Sequence, residues 1–126
     1  MATLGEVRSA AAGVVLTTDL IETASADVLL TDAATIAIDW DTGINFTVQN
    51  VAGNRVIGNP TNGQPGTWRT VYLYGSNSTD RIITFGNNYF GEVPTITDLD
   101  DTRHYMLSIF CRSATHFIVS SKRAFG

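Results

Sequence analysis

The residues whose types and spacing bear on chemistry are few. Asp98, Asp100 and Asp101 crowd three carboxylates into four positions, and clustered hard oxygens are what Ca²⁺ takes as ligands. The central glycine and terminal glutamate of an EF-hand loop are missing, so a solvated loop before a strand is the expectation. Residues 39–43, Asp-Trp-Asp-Thr-Gly, also resemble part of a Ca²⁺ loop, but an aspartate that opens a turn accounts for them more simply. His104 and His116 stand at the starts of two strand-like runs, and structural zinc wants four ligands. The single cysteine, Cys111, sits in the apolar run HYMLSIFC, where a thiol is inert; reactive thiols need an accessible, electropositive setting. The sequence therefore predicts no metal and no cofactor.

Catalytic signatures are equally sparse. No GxSxG elbow is present, and neither are the GxxxxGK[ST] and GxGxxG phosphate loops. Glycoside hydrolysis needs a placed pair of carboxylates, and two of the three glutamates, Glu6 and Glu22, lie near the N-terminus. The expected protein is not an enzyme. Aromatic residues are the remaining candidates: Trp68, Tyr89 and Phe90 would stack on sugar rings if exposed together, and core or intersubunit packing is the plainer use.

The elements that must hold these residues follow from period and punctuation. Ile36, Ile38 and Trp40 alternate with Thr35, Ala37 and Asp39, and Ile44, Phe46 and Val48 alternate with Asn45, Thr47 and Gln49. A period of two marks strands with one buried face. The turn residues between the two runs predict a hairpin. Residues 61–66, Thr-Asn-Gly-Gln-Pro-Gly, form a surface loop, because glycine and asparagine supply positive φ and proline fixes it. Residues 68–74 carry Trp68, Tyr72 and Tyr74 on one face and Val71 and Leu73 on the other. Such a strand is covered on both sides, which makes these five residues the candidate subunit interface. Residues 81–85 are expected to return beside it as a hairpin, Tyr89 and Phe90 to lie exposed in an irregular stretch, and residues 104–111 and 116–121 to close the domain as a strand pair.

About seven short strands with frequent turn signals predict an all-β fold, a small antiparallel β-sandwich or barrel. It occupies residues 33–126, with residues 1–32 as an N-terminal arm. The arm has no aromatic residue, and residues 19–22 have the spacing of a helix capping box. Its end of the chain is acidic: residues 1–41 carry seven acids against Arg8 alone, a balance of −6, whereas the rest of the chain carries +2. A net charge of −4 without a basic stripe argues against nucleic acid as partner. No stretch reaches the roughly 18 apolar residues of a membrane span, and the start lacks the form of a secretion signal. The acceptor patterns at Asn45 and Asn77 are accordingly read as chance.

The run INFTVQNVAGNRVIGNPTNGQPGTWRTVYLYGSNSTDRIITFGNNYFGEVPTIT, followed by HYMLSIFCRSATHFIVSSKRAFG, resembles the β-rich domain of tailed-bacteriophage surface proteins. The shared features are a strand ending in FTV, a GNR step into NPTN, a strand opened by PG, an R-x-[IL]-x-FG run and a closing strand pair ending in VS. They cover residues 34–123 and are structural, with Gly53-Asn54-Arg55, Asn59-Pro60-Thr61-Asn62 and Phe85-Gly86 shaping turns. The resemblance implies a homotrimeric, non-enzymatic virion protein made in the host cytoplasm. Its role would be capsid decoration or a head spike, binding the major capsid protein or another virion protein through the arm. The alternative it implies is a tail- or head-fibre tip that binds a host surface glycan through Trp68, Tyr89 and Phe90.

Overall fold

A computed structural model describes residues 26–125 of the chain. It contains ten strands: β1 (Asp27–Leu30), β2 (Thr35–Ile36), β3 (Asn45–Val51), β4 (Arg55–Ile57), β5 (Trp68–Gly75), β6 (Arg81–Phe85), β7 (Tyr89–Gly91), β8 (Ile96–Leu99), β9 (Arg103–Ser113) and β10 (His116–Phe125). One turn of 3-10 helix, Trp40–Thr42, interrupts them. The all-β expectation holds, and the arrangement is not the antiparallel sandwich or barrel that the turn spacing predicts. Consecutive strands alternate between two sheets: β1, β3 and β5 lie side by side in one, β2, β4 and β6 in the other, and every neighbour among these six is parallel. The chain thus winds in stacked, solenoid-like coils.

Both expected early hairpins fail for the same reason. Residues 35–40 and 44–48 belong to different sheets, as do β5 and β6. Alternation reports that a strand has one buried face, and says nothing about which strand lies beside it. The last pair, β9 and β10, is antiparallel as expected. This hairpin closes the stack: β9 adds antiparallel to β5, β8 adds antiparallel to β6, and β10 reaches β7.

The strand register aligns like with like through the coils. Val28, Phe46, Val71 and Leu107 are paired neighbours pointing inward, and Leu30, Val48, Leu73 and Tyr105 form the next row. Ile36 and Ile57 pair across the second sheet, and both are fully buried. Trp40, Phe117 and Tyr89 fill the remaining side: Trp40 meets Phe117 at 5.1 Å between ring centroids, and Phe117 meets Tyr89 at 6.3 Å. At one corner the turns are tied together by polar struts. The guanidinium of Arg55 donates through Nε and Nη2 to Asp32 at 2.7 and 3.1 Å, and Asn54 Oδ1 accepts from the backbone N–H of Ile82. At another, Asn59 Oδ1 accepts from the backbone N–H of Asn88 while its Nδ2 donates to Asn87. Side chains that satisfy the exposed backbone of the next coil fix its height and register.

The boundary expected between residues 32 and 33 is not a break in the structure, since β1 is the sheet's first described strand and pairs with β3. The capping-box spacing of residues 19–22 lies outside the described residues.

Candidate binding surface

Asp98, Asp100 and Asp101 do not converge on a common point. Asp98 accepts from the hydroxyl of Tyr105 at 2.7 Å and from Arg123. Asp100, 4% exposed, accepts from the N–H groups of Thr102 and Arg103 and from the Arg103 guanidinium at 2.6 Å, which stitches the turn before β9. Asp39 accepts from Asp41 N–H and Asn62 Nδ2, as an aspartate opening a turn does. Among the described residues no group of three or more His, Cys, Asp or Glu is placed to hold a metal ion.

His104 and His116 sit at opposite ends of the closing hairpin, because the two strands run antiparallel. His104 stacks on Tyr74 at 5.0 Å, and its Nδ1 faces the Tyr72 hydroxyl. Its Nε2 lies 3.0 Å from the Asp101 carbonyl, which can only accept, so Nε2 carries a hydrogen; when the ring is neutral, Tyr72 donates to Nδ1. His116 stacks on Phe90 at 4.1 Å.

Cys111 is fully buried, and burial pushes its thiol above the usual range, with Arg69 opposing in part. The thiol is expected to ignore an aromatic disulfide reagent in the native protein and to react at the rate of a free thiol once urea unfolds the chain. Rapid labelling without unfolding would refute this.

Hydrogen bonding by Arg55 lowers the pKa of Asp32, with burial opposing and the Ala52 N–H assisting. A carboxylate held below its unfolded value contributes stability above that value, roughly pH 4, and loses it as the pH falls through the folded value. The melting temperature is thus expected to be level between about pH 5 and 7 and to drop below about pH 4. Asp32→Asn should flatten that acid limb; an unchanged slope would show that this pair does not contribute. Tyr105 behaves oppositely, its hydroxyl pushed up to about 12 by burial and by its bond to Asp98.

The five residues expected at an interface divide by face. Val71 and Leu73 are fully buried in the core and cannot touch a partner. Trp68, Tyr72 and Tyr74 point outward, with Trp68 56% exposed. The expected aromatic trio divides as well: Phe90 is exposed, whereas Tyr89 is buried and donates its hydroxyl to the Gly58 carbonyl at 2.8 Å. Tyr89 and Phe90 are successive residues of a strand, so they must face opposite ways.

Pairing reveals partners that the sequence hides. Trp68 lies beside Phe110, Phe110 beside Ile118 and Ile118 beside Phe90, one row running across β5, β9, β10 and β7 on the outward face. The rings of Trp68 and Phe110 are 5.0 Å apart. Next to this row runs a polar one, Asp27, Asn45, Thr70, Ser108 and Ser120, and then Leu29, Thr47, Tyr72, Met106 and Lys122. Thr70 donates to Asn45 at 2.6 Å and Thr47 to Asp27 at 2.7 Å, which ties the outward side of β1, β3 and β5. Among the described residues eight large apolar side chains are exposed, and five of them, Leu29, Trp68, Phe90, Met106 and Ile118, share this face. A face that gathers apolar side chains marks an interaction site. Phe110 and Ile118 escape sequence reasoning because they lie some 20 or more positions from Phe90 and 40 or more from Trp68; only strand register brings the four together.

No protein-family model, curated protein or solved structure matches the chain.

Proposed function

We propose that the chain is a non-catalytic structural subunit of a virion surface, a capsid-decoration or head-spike protein that acts as a homotrimer and binds the major capsid protein or another virion protein. The observation that carries this reading is the use of the carboxylates. Asp27, Asp32, Asp39, Asp98 and Asp100 all accept hydrogen bonds that join strands or close turns. Side chains of the type that would do acid–base work are struts of a rigid coil. The sequence resemblance of residues 34–123 is what suggests the virion context. A ligand that binds only the assembled shell stabilises it by mass action.

The test has two parts. Light scattering on the purified chain is expected to give three times the mass of one chain, and electron microscopy of the virions that contain it should place it on the head. Removing residues 1–25, which leaves β1 intact, is expected to abolish decoration; undiminished occupancy would sink the anchoring role of the arm, and a monomer in solution would sink the trimer.

A further inference from the structure

We propose that the outward row of Trp68, Phe110, Ile118 and Phe90 is a binding strip for a linear chain of β-linked hexopyranoses. The inference rests on the reading of the chain as a surface subunit and names what the exposed face takes. Four features carry it.

First, the row crosses four adjacent strands, so its ends are three inter-strand steps apart, about 14 Å. Sugars linked through equatorial bonds advance by nearly one such step each, so a tetrasaccharide spans the row. Second, the row pairs an apolar surface with a polar one. Equatorially substituted pyranoses present C–H groups on their flat faces and hydroxyls at their edges; the aromatic row meets the former, and Thr70, Ser108 and Ser120 line the side where the latter would lie. Third, no carboxylate lies in the strip: the one aligned with its polar row, Asp27, stands at the far end on β1 and holds Thr47, while the flank opposite the polar row carries Arg112, two residues from Phe110 on β9, and His116 stacked on Phe90. Fourth, the area is small. Phe90 and Ile118 are 42% and 37% exposed, so with Trp68 and Phe110 the row shows on the order of 300 Å² of apolar surface. A tetrasaccharide laid along the row needs no more than this.

The structure also supplies a reporter. The chain has two tryptophans; the indole N–H of Trp40 is buried and donates to Thr67 Oγ1 at 2.8 Å, whereas Trp68 is the most exposed aromatic side chain of the face. Titration of the ¹⁵N-labelled full chain with cellohexaose and with chitohexaose is expected to move the Trp68 indole resonance and leave that of Trp40 in place. Maltohexaose, whose axial linkages bend the chain, should bind at least several-fold more weakly. Trp68→Ala is expected to weaken binding about tenfold or more, Phe90→Ala by several-fold, and Trp68→Tyr to retain most of it. The circular dichroism of each variant should match that of the parent. Failure of both β-linked hexasaccharides to shift Trp68 at millimolar concentration would overturn the proposal, as would undiminished binding by Trp68→Ala. A lower assembly mass for Trp68→Ala in light scattering, without saccharide binding by the parent, would assign the row to a second copy of the chain. Absence of the protein from virions would refute the virion reading and leave the titration unaffected.

Discussion

Trp40→Ala is expected to destabilise the fold by about 3–5 kcal/mol, enough to leave much of the chain unfolded at physiological temperature. The indole is fully buried and is held on every side. It packs on Phe117 at 5.1 Å, donates to Thr67 and lies under the guanidinium of Arg69 at 4.9 Å, which also donates to the Trp40 carbonyl at 2.9 Å. Alanine removes the ring from a coil at one end of the stack and takes support from Phe117 on the closing hairpin. The backbone around it is fixed by the pairing of Asp39 with Thr61, so the cavity cannot collapse. Urea unfolding with an unchanged m-value would measure the loss; a change below about 1 kcal/mol would show that Trp40 does not knit the coil to the cap.

Gly75→Ala is the second large effect, expected at about 3 kcal/mol. Gly75 ends β5, and its N–H donates to the Asp100 carbonyl at 2.9 Å. A Cβ there would lie 2.8 Å from Asp100 Cα, 3.0 Å from its carbonyl carbon and 3.3 Å from the Leu99 carbonyl oxygen. All three are backbone atoms, so no rotamer change relieves the clash. The main chain between β8 and β9 has to move away, at the cost of the bond and of the buried Asp100 turn. Gly66→Ala provides the contrast: the space is open, and the cost is only that of a positive φ of 87°, about 1 kcal/mol. Thermal melts should separate the two, Gly75→Ala falling by on the order of 10 °C and Gly66→Ala by far less. Equal effects would mean that the approach of β5 to residue 100 is looser than the backbone distances indicate.

The local parts of this fold are legible in the amino-acid order. The alternation of Phe46 and Val48 with Asn45 and Thr47 gives β3 its inward and outward faces, and residues 61–66 read as a loop. The closing hairpin is legible too, because Ser113 and His116 bracket a short turn between two long apolar runs. Topology is not legible, since parallel coils and antiparallel hairpins ask the same one-sided burial of each strand. What separates them is which strand supplies the next row, and here the offsets are uneven: Val28 aligns with Phe46, 18 residues on, and Phe46 with Val71, 25 residues on. An irregular spacing hides the repeat. Asn50, with a φ of 54°, adds to it by making a bulge between Val48 and Val51, so that the chain gains residues without losing register. The binding strip shows the same division. Trp68 and Phe90 stand out by type, while Phe110 and Ile118 become members only through pairing, and Tyr89 drops out through the parity of its strand.

The antiparallel closing hairpin gives the stack a direction. On its side the parallel ladder of β1, β3 and β5 ends in a chain reversal, and β7 is the edge strand beyond β10. On the β1 side the rows headed by Val28 and Leu30 form the edge of the sheet among the described residues. Coils between the two ends repeat one set of demands, an inward row and polar corner struts, so a duplicated segment that carries them can be spliced in without altering the cap. Length in such a molecule is set by the number of coils, and the outward strip sits where the last of the parallel strands, β5 with Trp68, meets the hairpin.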